Sequence, residues 1–163
     1  MTTSTPRTRA ERRAARLDDP RFEHWRTPRA RRRLAGALIA LLGVEAALFI
    51  ALERAPVLSL AGLALVVLAF VVCLGALKAS TRGIEELPAE ALDERQWQLR
   101  GEAYARAYRI GFGLLTAELV TAAVWLIAGW PAPDRGVLLG ALLLPFHVGI
   151  VLPTLVTAWS REA

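Results

Sequence analysis

The chain has little of what redox proteins and most enzymes require. A single cysteine, Cys73, among 163 residues rules out an internal disulfide, a CxxC redox pair or a thiolate metal cluster within one chain. That excludes membrane-bound four-helix thiol oxidoreductases, and the apolar run around Cys73 suits an inert, packed thiol. There are only two histidines. His24 precedes the first apolar stretch and His147 lies inside the last, so one chain cannot assemble a bis-histidine haem or metal site. No GxSxG, HExxH or phosphate-cradling glycine loop occurs, and Ser59 is the only serine within an apolar stretch. The sequence therefore implies no enzyme, no metal and no cofactor.

Charge is almost missing from four stretches of roughly 18 to 22 residues, the length needed to span about 30 Å of hydrocarbon at about 1.5 Å per residue. With 55% hydrophobic residues this predicts an all-α membrane protein of four transmembrane helices, arranged as two helical hairpins with a juxtamembrane helix between the second and third spans. A basic segment, 1–27, comes first, with a capping signal at Thr8 and Glu11 and Phe22 and Trp25 as interfacial aromatics. The first hairpin, 28–77, holds spans at about 34–52 and 57–77, opening on Thr27 as cap and Pro28 at the first helical position. A charged loop, 78–109, follows. The second hairpin, 110–158, holds spans at about 110–130 and 137–158, the last interrupted by Pro145 and Pro153. Residues 159–163 form a short tail.

The basic residues give the orientation. The residues before Leu34, the 78–109 loop and the tail carry 18, against two, Arg54 and Arg135, on the other side. The positive-inside rule then puts both termini in the cytoplasm of a plasma-membrane protein. Arg29, Arg31, Arg32 and Arg33 fall at headgroup level, where they can hold anionic lipid. Specific nucleic-acid binding is disfavoured, because six acids offset six bases in the loop.

Within the loop, Trp97, Tyr104 and Tyr108 are spaced by seven and four and line one side of a helix, and Glu102 can pair with Arg106. The run Leu92-Asp93-Glu94-Arg95-Gln96, with Leu99-Arg100 and the repeated Ala-Tyr before Arg109-Ile110, forms a juxtamembrane DERQ-type motif. It resembles small multi-pass membrane proteins of uncharacterised function from high-GC Gram-positive bacteria. The resemblance covers about 20 residues and implies a bacterial plasma-membrane protein; it supplies no activity or catalytic residue. Asp93, Glu94, Arg95, Gln96, Trp97, Tyr104 and Tyr108 are the candidate contacts for a cytoplasmic partner.

Three ionisable groups interrupt the apolar spans: Glu45, Glu118 and His147. A charge at the centre of a lipid-facing helix costs on the order of 3 kcal/mol, so each is expected to face protein or water. Glu118 lies 12 residues before Trp130 and His147 lies 10 after Val137, at depths that predict a Glu118–His147 contact. Glu45 shares its side with Leu38, Leu41, Leu48, Phe49 and Leu52, opposite a small-residue stripe of Gly36, Ala40, Gly43, Ala47 and Ala51. This predicts a first helix covered on both sides, with Glu45 meeting another helix or a second protomer in a homo-oligomer. Polar packing, a proton relay and metal binding are the readings open to the three groups. The leading functional expectation is a scaffold or regulatory protein presenting its cytoplasmic helices to a partner. The alternative is a small proton-coupled transporter using Glu118 and His147.

Overall fold

A computed structural model describes residues 27–81, 92 and 94–159, and there every regular element is a helix. The four helices are α1 (Pro28–Ala51), α2 (Pro56–Ser80), α3 (Glu94–Ile127) and α4 (Arg135–Trp159), each long and apolar enough to cross a membrane. Large apolar side chains such as Val72, Leu126 and Leu142 point outward, as a lipid-facing surface requires and a water-facing one does not. The N-terminal segment at 1–26, the loop at 82–91, Asp93 and the tail at 160–163 lie outside the described residues.

Local chemistry sets the helix ends. Thr27 Oγ1 accepts a hydrogen bond from the Ala30 N–H at 3.2 Å, and Pro28 occupies the first helical position, whose N–H would have no helical acceptor. Pro56 opens α2 in the same way. At 34 residues, α3 is about 50 Å long, well beyond one bilayer crossing. It ends at Ile127, three residues short of Trp130, because Gly129 adopts a left-handed φ of 66° that terminates the helix. The following turn is held by the Trp125 indole, whose Nε1–H donates to the Pro131 carbonyl at 2.9 Å and whose ring meets Trp130 edge-on. Glu53, in the turn after α1, accepts a hydrogen bond from the Arg135 backbone N–H at 3.1 Å. A carboxylate there satisfies an orphan donor and the positive end of the α4 dipole.

Helix α1 is central, packed between α2 and α4, while α3 packs on α4. The core joins Leu34 and Leu38 of α1, Phe70 and Leu77 of α2, and Val151 and Ala158 of α4. In lipid such contacts are held by close van der Waals fit. The closest fit is between α1 and α4, where a Cβ on Gly136 would lie 2.1 Å from the Phe49 carbonyl oxygen and one on Gly140 3.1 Å from the Phe49 Cβ.

Two expectations are corrected. The α1 face carrying Leu38, Glu45 and Phe49 is buried, with Glu45 meeting another helix as expected, whereas Gly36, Ala40, Gly43 and Ala47 are exposed, so the chain itself covers α1 on one side only. One buried carboxylate outweighs the small-residue stripe in choosing the inward face, because small apolar residues lie in lipid at little cost. Arg29, Arg32 and Arg33 are exposed, but Arg31 is not a headgroup side chain. It lies on the buried face one turn before Leu34 and Ala35, 7% exposed, and its Nε and Nη1 have no hydrogen-bond partner among the described residues. A buried donor without an acceptor costs about 1–3 kcal/mol. Arg31→Met is expected to recover that much in unfolding free energy in detergent micelles, and Arg32→Met to leave it unchanged; equal responses would show that the burial of Arg31 carries no cost.

Candidate functional site

The intramembrane polar residues divide between two places. His147, at the midpoint of α4 with twelve residues on either side, points at α1, where its Nδ1 lies 2.7 Å from Glu45 Oε1. The Glu45 side chain is 2% exposed and that of His147 22%. The Phe70 ring of α2 and the Phe146 ring lie 5.6 and 5.9 Å from the imidazole. The close approach at Gly136 and Gly140 brings the two helices together, and His147, seven residues after Gly140, recurs on the same face of α4. With Nδ1 carrying hydrogen, the imidazole donates to the carboxylate.

The expected Glu118–His147 contact is not formed. Glu118 and His147 do lie on packed neighbours, but each residue turns about 100° around a helix. The α4 residues facing α3 are therefore Ala141, Leu144, Pro145 and Val148, not His147.

Glu118 instead lines a cavity of about 700 Å³ among α1, α3 and α4. Its walls are Ala46, Phe49 and Ile50 of α1, Leu114, Leu115 and Trp125 of α3, and the apolar side of α4. Among the described residues Glu118 has no hydrogen-bond or ion-pair partner. The other polar groups of the wall are already engaged: the Thr121 hydroxyl donates to the Ala117 carbonyl at 2.8 Å and the Trp125 indole to Pro131. Among the side chains of this wall, the carboxylate is the one polar group without a hydrogen-bond partner among the described residues, in a space of small-molecule size. Phe49, one turn after Glu45, and Val148, next to His147, form the partition between this cavity and the Glu45–His147 pair.

The cavity reflects how loosely α3 is held. No residue of its apolar stretch is buried; its buried residues, Ala103 and Ala107, both precede that stretch. Its first turns carry the candidate partner-contact residues. Trp97, Tyr104 and Tyr108 are exposed on the helix surface, with the Arg100 guanidinium 5.9 Å from the Trp97 and Tyr104 ring centres and Tyr108 stacked on Phe112. Glu94, Arg95 and Gln96 form the first turn; Asp93 lies outside the described residues. Glu102 pairs with Arg106 at 3.4 Å. Among the described residues, no three histidine, cysteine, aspartate or glutamate side chains are grouped to hold a metal.

Sequence reasoning missed Glu53 as a cap for α4 and Gly136 as the point of closest approach. Glu53 joins residues 82 positions apart, which no local pattern reveals, but the Gly136-x-x-x-Gly140 spacing was readable as a helix-packing signal. No family model, curated protein or solved structure matches the chain.

Proposed function

We propose that this chain is a non-enzymatic multi-pass protein of a bacterial plasma membrane, with both termini cytoplasmic, that binds a mainly apolar molecule bearing one positive charge and exchanges it for a proton. The observation that carries the reading is the Glu118 carboxylate, without a partner among the described residues, in its apolar cavity of about 700 Å³. A carboxylate so placed is neutralised by a proton or by a cation, and the two compete. The apolar walls supply contact area and the acid supplies charge selection. The Glu45–His147 pair, behind Phe49 and Val148, is a second protonatable unit at the middle of the membrane, tying α1 to α4, the two helices that form the cavity wall facing α3.

The test uses tetraphenylphosphonium with the full chain, first as equilibrium binding in detergent and then as flux in proteoliposomes under an imposed proton gradient. Glu118→Gln keeps the shape of the side chain and removes the charge. Loss of one charge-assisted contact predicts roughly 10- to 100-fold weaker binding. Wild-type binding should strengthen as pH rises, because fewer protons compete for the carboxylate, and this dependence should flatten in the variant. Equal affinity and an equal pH profile in both proteins would refute the reading.

The exposed Trp97, Tyr104 and Tyr108 favour a second reading, a scaffold that offers the first turns of α3 to a cytoplasmic protein. A photo-crosslinking residue at position 97 of the full chain in native membranes is expected to form one discrete protein adduct under that reading. Crosslinks to lipid alone would remove it.

A further inference from the structure

A second hollow lies between α3 and α4, near the α4 C-terminus. It measures about 440 Å³ and is lined by Arg106, Arg109 and Ile110 of α3 and by Leu152, Leu155, Val156 and Trp159 of α4. The two arginines are three residues apart and so share a helix face. Arg109 has no ion pair among the described residues, and the partner of Arg106 is Glu102 at 3.4 Å, with both side chains more than half exposed. Such an exposed pair is worth little and gives way to a stronger anion. The rest of the lining is apolar and begins where the charged portion of α3 ends, at Ile110. The deep end is closed where Leu152 packs on Gly111, so closely that a Cβ there would lie 3.3 Å from Leu152 Cδ1. Ile110 and Trp159, at 47% and 61% exposure, make the rim, which opens onto the apolar outer surface of the helices.

We infer that this wedge binds one anionic phospholipid, its phosphate held between the Arg106 and Arg109 guanidinium groups and its upper acyl chain laid along Ile110, Leu152, Leu155 and Val156. Charge and apolar surface are stacked in the order in which a phospholipid presents phosphate and chain. A free phosphate would leave the apolar floor empty, and an acidic peptide would have to lay backbone polar groups on it. Guanidinium pairs suit phosphate because each offers paired N–H donors to its oxygens. The site is separate from Arg29, Arg32 and Arg33, which are exposed at the start of α1.

The experiment is a lipid titration of the purified full chain by native mass spectrometry, with phosphatidylglycerol compared with phosphatidylcholine. Wild type is expected to retain one phosphatidylglycerol in preference to phosphatidylcholine. At about 1 kcal/mol per arginine near a lipid phosphate, R106Q/R109Q should weaken retention roughly 25-fold. The control R54Q, in the exposed turn at the other end of α1, should retain the lipid as wild type does. Ile110→Trp, which fills the rim of the floor and keeps both arginines, should also lose it, and an excess of inorganic phosphate should not displace it. Helical content and melting in neutral detergent, measured on every variant, show whether each is folded. Equal retention of the two lipids, unchanged retention in folded R106Q/R109Q, full retention in Ile110→Trp or displacement by inorganic phosphate would each overturn the assignment.

Discussion

Replacing Gly136 by alanine should destabilise the protein more than alanine at any other glycine of the membrane helices. The added methyl would have to sit 2.1 Å from the Phe49 carbonyl oxygen and 3.0 Å from the Leu52 Cβ, atoms that cannot swing aside because they belong to or adjoin the α1 backbone. The helices must part instead. Overpacking of this kind costs about 1–3 kcal/mol, and a rigid obstacle places Gly136→Ala at the upper end. Alanine is about 1 kcal/mol better than glycine inside a helix in water, which offsets only part of the loss. The same substitution has graded effects elsewhere. At Gly140 the obstacle is the Phe49 side chain at 3.1 Å, so the cost should be smaller. At Gly62 it is the end of the Leu48 side chain, which can rotate. At Gly43 and Gly75 nothing lies within 4 Å, so alanine should be neutral or mildly stabilising. Denaturant titration in one detergent, read as unfolding midpoints for the five variants, tests the order. Equal midpoints for Gly136→Ala and Gly43→Ala would mean that α1 and α4 do not meet as described.

The same crossing explains which parts of the structure were legible in the sequence. Four apolar stretches, the Thr27-Pro28 helix start and the Glu102–Arg106 pair are local patterns, set by length, capping and i,i+4 geometry, and all are present. Helix α3 ends three residues before Trp130 although apolar character continues to that point, because Gly129 ends the helix through a backbone conformation that hydropathy does not report. The neighbours of Glu118 and His147 were harder. Depth along a helix follows from residue counting, and the adjacency of α3 and α4 follows from their short connection. Which side of α4 faces α3 depends on where α1 sits, and α1 is fixed by Gly136 and Gly140 against Phe49, a pairing across nearly 90 positions. Once α1 fills that side, His147 is committed to Glu45 and Glu118 is left to the cavity. Both faces of α1 were expected to be covered, one because it carries Glu45 and the other because small residues favour close helix contact. The buried Glu45 reverses that preference, since its exposure to lipid would cost more than a small-residue seam returns.

Removing one partner of the Glu45–His147 pair should be far more damaging than removing both. His147→Leu leaves a carboxylate that is 2% exposed facing a leucine, with its hydrogen-bond donor gone. An uncompensated buried charge costs about 3–5 kcal/mol, or a proton must be taken up to cancel it. Stability of this variant should therefore recover as pH falls, because protonation of Glu45 removes the charge. Glu45→Leu leaves a neutral imidazole, whose desolvation penalty is smaller, about 1–3 kcal/mol. Glu45→Gln keeps an oxygen for the Nδ1–H donor and should lose least. The double variant Glu45→Leu with His147→Leu fills the space with apolar side chains, and pairs replaced in this way are often as stable as the original. Its cost should fall well below the sum of the two single costs, a coupling that a thermodynamic cycle measures directly. Strict additivity would show that the 2.7 Å contact contributes nothing to holding α1 against α4. If the coupling is present, the double variant also separates structure from function. It should remain folded while lacking the second protonatable unit, and under the proposed exchange at Glu118 the binding of tetraphenylphosphonium and its pH dependence should persist.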